Sequence, residues 1–229
     1  MNEDSQKPEW EALNRFERRV AGVLIEKSKT TPDVYPMSLN AITNACNQKS
    51  NRSPLMNLTQ DEVQDTLDRL REKGAVVEVH GDGRVARFRH QMYDWLAVDK
   101  PELAVMCELL LRGQQTLGDL RARVSRMEPL KTQDELRPIV QSLLVKKLMI
   151  ELTPPGRGQV VTHNLYQPEE LAKVERQVAD SPSLVADDEG ESATQDSTNS
   201  SGLELRVAEL EAQLETVNVR LAKIESLLE

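Results

Sequence analysis

The sequence predicts an α+β chain, mainly α: tandem winged helix-turn-helix domains followed by a disordered linker and a C-terminal coiled-coil helix. Three observations predict it. The stretch from Tyr35 to Gly74 carries two helical apolar patterns joined by a polar loop, and it runs directly into a β-hairpin pattern. The block TQDEVQDTLDRLREKGAVVEV (59–79) aligns without a gap onto TQDELRPIVQSLLVKKLMIEL (132–152), an offset of 73 residues. The chain closes on apolar residues spaced alternately four and three apart, a heptad seam. At 229 residues, the length suits two small domains better than one.

Taken in order, residues 1–13 read as a polar lead-in, with Trp10 placed to anchor on the first domain, 14–92. Phe16, Val20, Val23 and Leu24 outline an amphipathic helix from about Asn14 to Ser28. Thr30-Thr31-Pro32 and Tyr35-Pro36 break it, because each proline disfavours a helical residue before it. Leu39, Ile42 and Cys46 then form an apolar stripe capped by Ser38. Thr59 and Glu62 form a capping box ahead of Val63, Leu67 and Leu70, and Gly74 ends that helix. AVVEV (75–79), the turn Gly81-Asp82-Gly83 and RVARFRH (84–90) read as two strands. In this arrangement the helix that would enter a DNA groove is 60–73, and the wing is 80–84.

The second domain, 97–170, repeats the pattern. PELAVMCELLLRG (101–113) and LGDLRARVSRM (117–127) supply two helices, and the capping box recurs as Thr132 and Glu135. Pro138 lies in the first turns of the third helix and removes one N–H there. Pro154-Pro155-Gly156-Arg157-Gly158 makes a wing tip before the strand QVVTHNLY.

Residues 176–202 are Ser- and acid-rich with almost nothing to bury, which predicts a disordered linker whose ends lie roughly 30 Å apart. Residues 203–229 predict a coiled-coil helix with Val207, Leu214, Leu221 and Leu228 at a and Leu203, Leu210, Val217 and Ile224 at d. The seam predicts a homo-oligomer, most simply a parallel dimer in which Arg206 faces Glu211 and Arg220 faces Glu225.

The formal charge of −9 is unevenly spread. Residues 14–92 carry 13 basic against 10 acidic side chains, 101–173 carry 10 against 9, and 174–229 carry 4 against 13. The part expected to fold is therefore near neutral, compatible with nucleic-acid binding without requiring it. VAGVLI and LAVMCELLL are too short to span a membrane, and the acidic start is no signal peptide. Cys46 and Cys107 sit in separate helical patterns, make no disulfide framework and fit a reducing cytoplasm.

The loop NQKSNRSP (47–54) is the densest set of hydrogen-bonding side chains. Lys49 and Arg52 are placed to hold phosphates, with Asn47, Gln48 and Asn51 near base edges; the competing reading is that the amides satisfy the loop's own backbone. Arg87 and Arg89 share one strand face and, with Arg84, make a basic strip. Arg123 and Arg126 follow in the second domain, three apart on a helix.

Against this, a helical wheel puts Asp61, Asp65, Asp68 and Glu72 opposite the core face of helix 60–73. Four carboxylates would meet a polyanion there. His80, His90 and His163 are scattered without metal spacing, no phosphate loop or catalytic grouping is present, and no cofactor is expected. An aromatic content of 3% argues against a stacking platform for single strands.

LIEKSKTTPDVYPMSLNAITNACNQKSNRSPLMNLTQDEV and LLLRGQQTLGDLRARVSRM together resemble the YceH-like family of uncharacterised bacterial proteins, over roughly 14–170 plus the last helix. The resemblance implies a tandem winged-helix fold and a C-terminal coiled coil, and it carries over no functional residues. Two functions are expected on these grounds. The first is non-catalytic, DNA-associated regulation on double-stranded DNA through the wing and the 47–54 loop. The alternative is a protein–protein adaptor whose acidic helix face takes a basic partner.

Overall fold

The computed structural model describes residues 10–80 and 85–180. All of them belong to one compact unit spanning Met1–Asp188. The expected coiled coil, most of the linker and the wing residues 81–84 lie outside the described residues. Among the described residues there are eight α-helices and two three-stranded sheets. The first half runs α1 (Arg15–Thr30), β1 (Met37–Ser38), α2 (Leu39–Cys46), α3 (Gln60–Glu72), β2 (Val76–Val79) and β3 (Arg87–His90). After α4 (Met92–Leu96) the second half runs α5 (Lys100–Arg112), β4 (Gln115–Thr116), α6 (Leu117–Val124), α7 (Gln133–Val145), β5 (Met149–Glu151) and β6 (Val160–His163). The helix α8 (Pro168–Ala179) follows.

The two sheets have the same order, β1-β3-β2 and β4-β6-β5, all antiparallel. The 73-residue offset carries α3 onto α7 and β3 onto β6 residue for residue, so the repeat extends beyond residues 59–79 and 132–152. It takes His90 onto His163 and Tyr93 onto Tyr166. The histidines, expected to be scattered, are thus two equivalent buried residues plus the exposed His80. Each closes a short local turn: His90 Nδ1 accepts from the Met92 N–H, and His163 Nδ1 accepts from the Leu165 N–H. With Nδ1 as acceptor the ring proton sits on Nε2, so His90 donates to Ser28 Oγ, 3.0 Å away.

Local chemistry explains most boundaries. Asn14, Thr59 and Asp99 make reciprocal capping boxes with Glu17, Glu62 and Glu102, and Ser38 caps α2. The second expected box is only half formed. Thr132 Oγ1 accepts from the Glu135 N–H, but the Glu135 carboxylate takes the Lys131 N–H instead. Helix α8 runs to Ala179, past residue 176 where the linker was expected to begin. Pro168, Glu169 and Glu170 suit a helix start, and Leu171, Val174 and Val178 repeat at i, i+3 and i+7.

The halves share one hydrophobic core, with α1 against α5 at its centre. Residues 17–25 of α1 and 102–111 of α5 are buried all round. Such helices have no solvent face, because each covers its own half on one side and the other half on the opposite side. Gly22 lies where they approach: a Cβ there would stand 2.8 Å from Leu111 Cδ2 and 2.9 Å from its Cγ. The Cys107 thiol donates to the Gly22 carbonyl at 3.2 Å. Polar contacts fasten the rim of this seam. The Leu13 N–H donates to the Leu165 carbonyl, Arg18 pairs with Glu170 at 2.7 Å, and Lys29 pairs with Glu128 at 3.2 Å.

Candidate nucleic-acid interface

On α3, Val63, Leu67 and Leu70 are buried, and Asp61, Asp65 and Glu72 are exposed, as the wheel requires. Asp68 is half-buried and accepts from Gln64 and from Arg71, the latter at 3.0 Å. Arg71 also reaches Glu78 at 3.1 Å, so one cation from the same helix offsets part of the acidic face. On β3, Arg87 and Arg89 are exposed and Phe88 is buried, an alternation fixed by the strand period of two. Arg87 Nη1 donates to the Pro36 carbonyl at 2.9 Å, which holds its head against the start of β1. Arg84 lies outside the described residues.

The 47–54 loop departs from the phosphate-binding expectation. Lys49 is exposed, but Arg52 is 5% exposed and every one of its N–H groups is engaged. Its Nε donates to the Ala45 carbonyl, and the two Nη atoms donate to both oxygens of Glu26, to Gln48 and to the Asn51 carbonyl. A guanidinium so occupied has no donor left for a phosphate. Asn47 closes the loop by pairing both ways with Leu58 at 2.7 and 2.8 Å. This is the backbone-satisfying role weighed against base reading. Asn51, at φ 59°, instead accepts from Arg112 and Arg126, and the Ser53 N–H donates to the Leu111 carbonyl. The loop therefore clasps the second half. Arg123 and Arg126 turn to the same seam, Arg123 toward Gln115 and Arg126 toward Asn51 and Glu108. Of the expected contacts, Lys49, Arg87 and Arg89 remain exposed among the described residues, as does Arg126, whose head is engaged at the seam.

The second half offers a surface that the sequence reading did not assemble. A cleft of about 1310 Å³ opens between α7, the start of α6 and the hairpin loop 155–158. Arg121, Arg137 and Arg157 line it from three separate elements, against Asp119 and Glu151. Asp119 accepts from Thr116 at the start of α6, and Glu151 accepts from Gln159 at 2.6 Å. Arg137 pairs with Asp134 at 3.6 Å with both heads exposed, a contact that holds it only weakly. The offset of 73 carries Arg84 onto Arg157, so the repeat itself was the signal for this residue. Arg137 replaces Gln64 in the same alignment, and nothing marked it.

Chemistry elsewhere is quiet. Burial pushes the Cys46 thiol up to about 12 and the Cys107 thiol well above its ordinary value, so both stay protonated. Burial likewise lowers His90 to about 4 and His163 well below its usual range. Among the described residues no group of three or more His, Cys, Asp or Glu could hold a metal ion. No described helix is long and apolar enough to cross a membrane.

Residues 13–157 match the family model "Protein of unknown function, DUF480". A UPF0502 protein of Rhodopirellula baltica is 49% identical over 185 residues, covering 79% of this chain and 76% of the relative. One from Geotalea daltonii is 48% identical over 148 residues, 63% of this chain and 68% of the relative. One from Koribacter versatilis is 39% identical over 175 residues, 73% and 82% respectively. The matched segment covers the first half, the seam and the second half as far as Arg157, and the chain belongs to the DUF480 (UPF0502) family of bacterial proteins.

Proposed function

We propose that the two halves are tandem winged helix-turn-helix domains of a non-catalytic, cytoplasmic, DNA-associated regulator, and that the second domain makes the principal contact. The cleft lined by Arg121, Arg137 and Arg157 carries this reading. In a winged helix the third helix enters the major groove, the wing lies over the neighbouring backbone, and a phosphate ridge runs between them. Three guanidinium groups from helix, helix and wing suit such a ridge, because Arg donates bidentately to phosphate oxygens. Arg87 and Arg89 add phosphate contacts from the first domain. The acidic face of α3 keeps that domain's third helix out of the groove by like-charge repulsion.

The test is the salt dependence of duplex binding by the full chain. Three cleft phosphates and two more at Arg87 and Arg89 give a log–log slope of about −4 to −5, and each of Arg137→Ala and Arg157→Ala flattens it by about one. Asp65→Asn with Asp68→Asn tightens non-specific binding. No duplex binding at low salt refutes the reading.

A second reading rests on the exposure of Asp61, Asp65 and Glu72: the same face docks a basic protein partner. The double Asp→Asn change then weakens that capture and leaves duplex binding absent. In either case the heptad seam, outside the described residues, joins copies of the chain.

A further inference from the structure

At the seam between the halves, the charges do not balance. Arg112 and Arg126 donate to one neutral acceptor, Asn51 Oδ1, and both reach the same carboxylate, Glu108. Arg126 Nε donates to the Arg123 carbonyl, and Arg123 reaches Gln115, whose amide donates to the Glu108 carbonyl. Two guanidinium groups thus share one carboxylate that is 2% exposed, and Arg123 stands one side chain further out, near enough to act on it electrostatically.

The next pair inward, Arg52 with Glu26, is already matched and supplies no spare negative charge. Asp119 lies 3.9 Å from Arg123 at the rim, and Lys27, 3.7 Å from Glu26, adds a further cation. That makes five cations against three carboxylates. The Arg112–Glu108 contact is close, at 2.7 Å, yet its angle is off-line: neither Arg112 Nε nor Glu108 Oε1 completes a hydrogen bond. Burial lowers the pKa of Arg112, and Arg123, Arg126 and Arg52 lower it further against the pull of Glu108. An amide oxygen cannot neutralise two guanidinium groups. Their convergence in a half-buried site costs electrostatic energy unless a further anion is present.

We propose that Arg112, Arg123 and Arg126 form a binding site for a small phosphate-type oxyanion at the seam between the two halves. The side chains of Arg112, Arg123 and Arg126 are 20%, 33% and 46% exposed, so solvent and a compact anion reach the trio most readily at Arg126. Tetrahedral oxyanions match the forked donors of arginine, and several Arg heads round one phosphate is a common arrangement for it. Because Asn51 belongs to the first half and the arginines to the second, the bound anion tightens the clasp between them. The site does not rest on the DNA reading.

The probe is inorganic pyrophosphate with the full-length chain, followed by thermal unfolding and by calorimetric titration. At ionic strength matched with sodium chloride, pyrophosphate raises Tm in a saturable way that chloride does not reproduce. Arg126→Gln and Arg123→Gln each weaken pyrophosphate by about tenfold or more, since each loses a charge-assisted contact. Arg176→Gln, on the exposed face of α8 and outside both the trio and the cleft, leaves it unchanged. Arg126 is half exposed, so its substitution leaves a folded protein, and circular dichroism of the variant checks this. Equal shifts from pyrophosphate and chloride overturn the proposal, as does an undiminished affinity in Arg126→Gln. So does displacement of pyrophosphate by duplex DNA in Arg137→Gln, because the trio would then serve the polymer's phosphates.

Discussion

Replacing Arg52 with alanine separates two accounts of the 47–54 loop. As a phosphate ligand, Arg52 would be dispensable for folding, and its loss would flatten the salt slope of DNA binding by about one. As the buried cation seen here, it holds Glu26, Gln48 and the carbonyls of Ala45 and Asn51 together, with its side chain 0% exposed. Removing one partner of a buried, hydrogen-bonded pair costs about 3–5 kcal/mol, mostly by stranding the other charge. Glu26 is 13% exposed and keeps Lys27 at 3.7 Å, so the lower end applies, about 3 kcal/mol. With a urea m-value of about 2 kcal/mol per molar, the midpoint falls by roughly 1.5 M. Arg52→Lys recovers part of this, because a point charge keeps Glu26 company but cannot reproduce the fork. Urea unfolding of the full chain, followed by far-ultraviolet circular dichroism, makes the measurement. A midpoint within about 0.25 M of wild type, together with a flattened salt slope, would refute the structural account of this residue.

The remaining predictions concern the seam, the histidines and the tail. Gly22→Ala gains about 1 kcal/mol of helix propensity but drives a methyl into Leu111, an overpacking cost of about 1–3 kcal/mol. The expected net is a loss of about 1 kcal/mol, and a raised Tm would mean that α1 and α5 approach less closely. His90 and His163 are neutral when folded, so the unfolded chain takes up protons first as pH falls below about 6.5. Stability present above that pH is lost progressively toward pH 4. Glu102 and Glu170, held low by Lys146 and Arg18 against burial, steepen only the acid end. His90→Gln should make the urea midpoint less sensitive between pH 6.5 and 4.5, and an unchanged profile would count against a neutral buried ring. A chain ending at Ser201 should sediment as a smaller species than the full chain, and equal oligomeric states would exclude the heptad seam as the joining element.

The internal repeat, the caps and the core stripes were legible in the sequence, because each is fixed by neighbours within one or two helical turns. Ser38 and Thr59 cap helices through hydrogen bonds that span three residues, and the stripe of Val63, Leu67 and Leu70 is set by helical pitch. The exposure of Arg87 and Arg89 follows in the same way from the strand period. What only the tertiary structure decided is where the polar side chains spend their hydrogen bonds. Arg52 meets Glu26 across 26 positions, and Asn51 meets Arg112 and Arg126 across 61 and 75. No local pattern encodes such partners. An Asn- and Arg-rich loop has the same composition whether it faces phosphates or the other half of the chain, and burying α1 against α5 turned it inward.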